Sequence, residues 1–512
     1  MNRLFRIVPL FLFLIFFTHC TGNKHEGQHP QILRVALFDN PTNLDPRTYS
    51  DAVSYRIIEL VYDFLVRMDS TGLPQPQLAE RIDTPSDTVY LFTLRKGVKF
   101  HDGSPLSAYD AAYTIQSILD PALKAPLRAT LQNIRRVTVL DSFHLKITLK
   151  EPHAPFLADL QIGIVPRHLV ESGSIDIKRE PLGSGPFKFV KWESDAVVEL
   201  ERNEHYWKGS PKLEKLVLKI LPESTTRLLA LQNREIDILI NNIPETQLPL
   251  LEKDPRFKVI KRPGSNYVYL GLNLRNQYLQ NRKVRQAIAY AIDVDGMIKN
   301  LLGGLHKRAN SLLSETHWAY HPNLKTYQYD PALAKQLLDE AGFTDPDGDG
   351  PQSRFSLTYK CTDKLPSRQK AQVIQQYLKQ VGIDVKIQSY EWGTFFDDIQ
   401  QGRFDMFSLS IVGIYEPAVY EQFFHSRSIG NGKNRVGYHN PEVDRLIDLG
   451  NRTLDIEKRK QIYWRIQEIV QQDLPYISLW HETNVAVMDK HLFGFEMYPA
   501  GEWVPFYKME FK

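Results

Sequence analysis

The chain has 512 residues, 42% apolar and 24% charged, which suits a folded water-soluble protein of about three domains. Net charge is +3, and removing the first nineteen residues deletes Arg3, Arg6 and no acid, so the remainder sits near +1 with no basic cluster and nucleic acid is excluded as a partner. There are two cysteines, Cys20 and Cys361; with Cys20 in the targeting segment no internal disulfide is expected, and a chain this long needs none.

The N-terminus carries Arg3 and Arg6, then an apolar run from Ile7 to Phe17 broken only by Pro9. A bilayer span needs about 20 apolar residues, so this run reads as a signal-peptide core and not as a membrane helix. It ends at Phe17-Thr18-His19-Cys20, a cysteine placed as in a bacterial lipobox, although Phe17 and His19 stand where Leu and a small residue are usual. Cys20 is the candidate lipidation site; ordinary cleavage with an incidental Cys20 is the other reading. Residues 1–20 are thus the signal peptide and lipobox, and 21–30 a polar tether.

Strand character follows at 88–94, 144–149 and 197–200. Ser107 with Asp110 three residues on predicts a capped helix start. Residues 216–220, 225–232 and 236–240 read as strand, helix and strand. Residues 283–302 repeat apolar side chains at helical spacing through Val284, Ile288, Ile292 and Ile298. Asp330-Pro331 opens a helix that Gly342 closes, and Asn440-Pro441 opens another. A second strand–helix–strand unit spans 355–359, 367–380 and 383–387. Each such unit implies parallel pairing and a right-handed crossover. Two α/β lobes, each with its own sheet, are therefore expected, with an α+β module of hairpin-like strands at 60–180.

Other motifs carry no chemistry. Gly183-Ser184-Gly185-Pro186 lacks the spacing of a phosphate loop and reads as a tight turn into a strand. Gly97 and Asp102-Gly103 suit turns with positive φ. Asp345-Pro-Asp347-Gly-Asp349-Gly350 imitates a calcium loop, but Ser356 stands where a bidentate Glu is required. His481-Glu482 lacks the second histidine of a zinc-protease helix, the fifteen histidines show no ligand spacing, and no nucleophile elbow is present. No catalytic residue, metal or cofactor is expected.

A larger pattern runs along the chain: Pro76-Gln-Leu-Ala-Glu80, Tyr90 through Pro105 (YLFTLRKGVKFHDGSP), Val165-Pro-Arg-His168, Pro181 through Phe187, Arg202-Asn-Glu-His-Tyr-Trp-Lys-Gly-Ser-Pro211, Ala230 through Asp237, Asn281 through Ile288, Ala334 through Gly342, Phe404-Asp-Met406 and Tyr438 through Asp444. In number, order and spacing these blocks resemble the periplasmic oligopeptide, dipeptide and nickel-binding proteins of ABC importers, extracellular solute-binding family 5. The resemblance implies a class II two-lobed periplasmic-binding-protein-like α/β fold with an additional inserted α+β domain. Lobe I would comprise 31–55, 182–268 and 482–512, the inserted domain 56–181 and lobe II 269–481, with hinges near 268 and 481. It implies a monomeric, extracytoplasmic lipoprotein, in the periplasm or on the outer face of a bacterial membrane, that captures short peptides between its lobes and passes them to permease subunits. Other small solutes (an oligosaccharide or chelated metal), a sensing receptor and an extracellular hydrolase are the alternatives.

Peptide binders of this family set an aspartate on the ligand ammonium, in a segment that reads Ser410-Ile-Val-Gly-Ile-Tyr-Glu-Pro417 here. Gly413, Ile414, Tyr415 and Glu416 are thereby candidate ligand-binding residues, with Glu416 the candidate amine anchor or a loop acid. Trp392 and Tyr415 are candidate pocket walls or ordinary packing. The resemblance places Asn434 and Arg435 at the cleft, Arg435 facing a carboxylate or solvent, and Asn43 on the first lobe's side.

Overall fold

The structure, a computed structural model, describes residues 30–512, residues 242, 349 and 431 and the side chain of residue 504 excepted. Cys20 and the signal segment lie outside the described residues. Its frame is two antiparallel strands, Phe257–Leu272 and Tyr476–Asp489, that each run through both halves of the molecule. Residues 257–263 pair with 483–489, and 267–271 with 476–481. Between the two stretches the register shifts at Gly264–Asn266. A Cβ on Gly264 would lie 2.4 Å from the Glu482 carbonyl oxygen, so only glycine lets the crossing strands approach there.

On one side, Tyr476–Asp489 continues into Ile238–Ile240, Ile32–Leu37, Lys215–Ile220, Val197–Arg202 and Phe187–Glu193. On the other, Phe257–Leu272 continues into Met406–Ile411, Phe355–Thr362 and Ile383–Tyr390. The expectation of two separate sheets is corrected: among the described residues the strands form one hydrogen-bonded path, because both crossing strands are long enough to serve both lobes. Both strand–helix–strand units are present. Lys215–Ile220 and Ile238–Ile240 flank Ile32–Leu37 in parallel, and Phe355–Thr362 pairs directly and in parallel with Ile383–Tyr390.

The cores divide at the register shift. Leu33, Val35, Leu216 and Leu218 pack with Ile57 and Leu60 of helix Ala52–Val61. Beyond the shift, alternation along one strand separates two faces: Val268, Leu270 and Leu272 join Ile288, Leu357 and Ile374, while Tyr267 and Tyr269 join Phe407, Tyr463 and Ile466. A further core, around Phe92, Ile115 and Ile147, fills the four-stranded antiparallel sheet of residues 79–149 and its helix Ala108–Leu119. This module is joined to the first half by Asp63, fully buried, whose carboxylate accepts from Gln77 Nε2 (2.9 Å), Ser184 Oγ, Tyr206 OH and Trp207 Nε1 (3.0 Å each).

The helix starts expected at Ser107, Asp330 and Asn440 are capped as read. The run 283–302 is two helices, Arg282–Ala291 and Val294–Leu301, because the Asp293 side chain accepts from Gly296 N at 2.8 Å and starts a new one. Gly183 and Gly185 have negative φ or extended backbone; what they supply is room, since a Cβ on Gly183 would lie 2.1 Å from the Val61 carbonyl oxygen. The Asp345 loop closes on itself, with Asp345 Oδ1 accepting from Asp347 N and Gly348 N, and no metal-holding cluster occurs among the described residues.

Candidate functional site

Strand Met406–Ile411 ends at the carboxyl side of the sheet, parallel to Phe355–Thr362, and releases the loop of residues 412–418. Loops beyond the carboxyl ends of strands are where open α/β sheets hold ligands. Here the loop faces the inserted module across an open cavity of about 750 Å³, lined by Gly413, Ile414, Tyr415 and Glu416 on one side and by His153, Asp159 and Gln161 on the other. That volume lies within the range of small-molecule sites. The walls meet at two rims. Ala154 N donates to Asn451 O at 2.7 Å beside a 3.0 Å Arg452–Glu151 ion pair, and Trp318 N donates to Thr71 O at 3.2 Å.

Gly413 has φ +68°, which lets the loop turn out of the strand. Glu416 does not present a free carboxylate: it is ion-paired with Arg459, itself buried and held by the Gly450 carbonyl at 2.9 Å and between the Trp318 and Tyr463 rings. Burial raises the Glu416 carboxyl and Arg459 pulls it back. Four candidates stand outside the cavity walls. Asn43 shapes its own turn, accepting from Asp45 N and donating to Thr48 Oγ1. Trp392 is exposed and stacks on Phe396 with centroids 5.2 Å apart. Asn434 is buried and fully engaged with backbone, donating to His425 O and Tyr438 O and accepting from Tyr438 N. The Arg435 guanidinium lies 5.0 Å from the Phe396 ring centroid.

A second group was not legible in the sequence. Ile414 and Tyr415 also line a small cavity near the register shift, together with Thr71, Ser265, His317 and Glu502. Beside it, Glu59 accepts from Arg56 (3.1 Å), Arg67 (2.7 Å) and Trp503 N (3.2 Å). The Tyr415 phenol approaches this cluster from the opposite lobe; burial, then the Glu502 charge, raises its pKa well above the usual value. The Tyr415 carbonyl accepts from His317 Nε2 at 3.1 Å while His317 Nδ1 accepts from Ala319 N. Both bonds require the neutral imidazole, and burial lowers its pKa to about 4. Gly72, at φ +83°, passes this carbonyl so closely that a Cβ would lie 2.8 Å from it. These residues are scattered from 56 to 503, and no local spacing joins them.

Two halves that share crossing strands, with a cleft between them and an inserted module, define a class II solute-binding protein. The chain belongs to the bacterial extracellular solute-binding proteins, family 5, whose model matches residues 74–431. It is 29% identical to the oligopeptide-binding protein AppA of Bacillus subtilis, over 97% of this chain and 96% of that one. Among solved structures it resembles the periplasmic binding protein DppA from Helicobacter pylori in complex with the peptide STSA (30% identity, TM-score 0.78, 94% and 98% covered). It also resembles NikZ from Campylobacter jejuni in complex with Ni(L-His) (28% identity, TM-score 0.80, 94% and 100% covered).

Proposed function

We propose that this protein captures short peptides in the interlobe cleft and delivers them to the permease subunits of an ABC importer. The observation that carries the reading is the cavity of about 750 Å³ between the 412–418 loop and the inserted module. It suits a guest of a few residues and exists only while both walls are in place. Such a guest favours closure because it touches both walls only there. The moving bodies are residues 31–55, 182–268 and 482–512 against 269–481, with 56–181 riding on the first. The register shift at Gly264–Asn266 supports a hinge at that point, where few backbone bonds resist rotation. In this reading the protein is a monomer outside the cytoplasm, tethered through a lipid on Cys20, and performs no chemistry on its guest.

Peptide-binding relatives support the ligand class. The likeness to NikZ supports a chelated metal as the second reading. Denaturing the purified protein and identifying by mass spectrometry what it releases separates the two. A peptide of a few residues is expected; a metal chelate or a sugar alone would overturn the peptide assignment.

A further inference from the structure

Glu502 is a buried carboxylate with an unanswered oxygen. Its residue is 7% exposed, and among the described residues Oε2 has no hydrogen-bond partner. The nearby Arg56 and Arg67 act on its charge from a distance but make no hydrogen bond to it among the described residues. Arg56 and Arg67 both point their ion pairs at Glu59, and the second Arg56 nitrogen donates to the Ala500 carbonyl. Among the described residues no ion pair joins Glu502 to any side chain. A buried acceptor without a partner loses its hydration and gains nothing in return, so such a group calls for a donor from elsewhere. Glu502 lines the small interlobe cavity near the register shift, and what approaches it from the other lobe is the Tyr415 phenol. Tyr415 and Ile414 line both this cavity and the large one, so they form the partition between them. Tyr415 is thus a side chain that stands between Glu502 and the large cavity.

We propose that Glu502 is the subsite for a cationic nitrogen, the primary ammonium at one end of the guest, with Tyr415 its stand-in when the cleft is empty. This rests on the peptide reading for the rest of the guest but not for the ammonium itself. It also accounts for Glu416, the acid nearest in sequence to a ligand loop, being engaged by Arg459. In the loaded state the ammonium donates to Glu502 Oε2, and the remainder of the chain passes Ile414 into the large cavity.

The test titrates tetraalanine and N-acetyl-tetraalanine into the wild-type protein and into Glu502→Gln by calorimetry. Acetylation removes the charge and leaves the chain length nearly unchanged. Wild type should bind the free amine about tenfold or more tighter than the acetylated peptide, the worth of one charge-assisted hydrogen bond. In Glu502→Gln that gap should close through loss of affinity for the free amine alone. Equal wild-type affinities, or a gap that persists in the variant, would overturn the assignment and leave the peptide reading standing; the wild-type comparison needs no variant to fold. Failure of both peptides to bind counts against the peptide reading, and the molecule released on denaturation then decides. A released molecule without an amine overturns the Glu502 subsite, and a non-peptide amine sustains it.

Discussion

At the scale of single residues, the difference between Glu416 and Glu502 is one of partners. Glu416 is half-buried and Glu502 buried, yet Arg459 holds the first and, among the described residues, no hydrogen bond reaches Oε2 of the second. Removing one member of a buried ion pair leaves an uncompensated charge, at a cost of about 3–5 kcal/mol. Arg459→Met should therefore destabilise the protein by that amount in urea unfolding, and the double variant Arg459→Met/Glu416→Leu should recover most of it. If Arg459→Met unfolds like wild type and only ligand affinity falls, Glu416 faces the ligand after all. His317 gives a pH dependence of definite sign. Its folded pKa of about 4 lies below the ordinary 6.5, so the unfolded chain takes up the proton first. The stability it contributes is complete above pH 6.5 and is lost as pH falls toward 4. The advantage of wild type over His317→Gln, whose amide can still donate to the Tyr415 carbonyl, should shrink over that window by up to about 3 kcal/mol. A constant difference would show that the imidazole titrates normally.

Elements with local signals were legible in the sequence, and those fixed by distant partners were not. The caps at Ser107, Asp330 and Asn440 announce their helices because the capping bond lies within three residues. Asp293 carried the same signal inside a continuous apolar stripe, and the stripe concealed it. The single sheet was out of reach because the pairing of 257–272 with 476–489 joins segments some two hundred residues apart. Gly183 shows the same limit. Glycine before a strand suggests a turn, whereas the structure needs it to pass the end of helix Ala52–Val61. Gly183→Ala should cost about 3 kcal/mol or more, at or above the upper end of overpacking, since a backbone carbonyl cannot step aside as a side chain can. Thermal unfolding measures this, and a loss below 1 kcal/mol would mean that the strand entry adapts freely. Of the candidate site, residues 413–416 are legible through family likeness, and all four line the cavity. Asn434 was placed at the cleft by the same likeness, yet its amide is consumed by the turn that holds residues 425–438 together.

For the molecule as a whole, capture of a guest depends on two bodies turning about the crossing strands. Among the described residues the hydrogen bonds and ion pairs between the lobes are few: two backbone hydrogen bonds and one exposed ion pair at the rims, and two bonds from Thr483, to Leu305 O and His306 Nδ1, beside the crossing strands. An exposed ion pair is worth about 0–1 kcal/mol, so the Arg452–Glu151 contact cannot by itself hold the cleft shut. The guest must supply the rest, and the empty protein should open. Small-angle X-ray scattering of ligand-free protein, before and after saturation with a peptide whose binding is confirmed by calorimetry, measures this directly. A smaller radius of gyration is expected on binding, with the loaded curve matching the form in which the rims are in contact. Superimposable curves for the empty and saturated protein would contradict it.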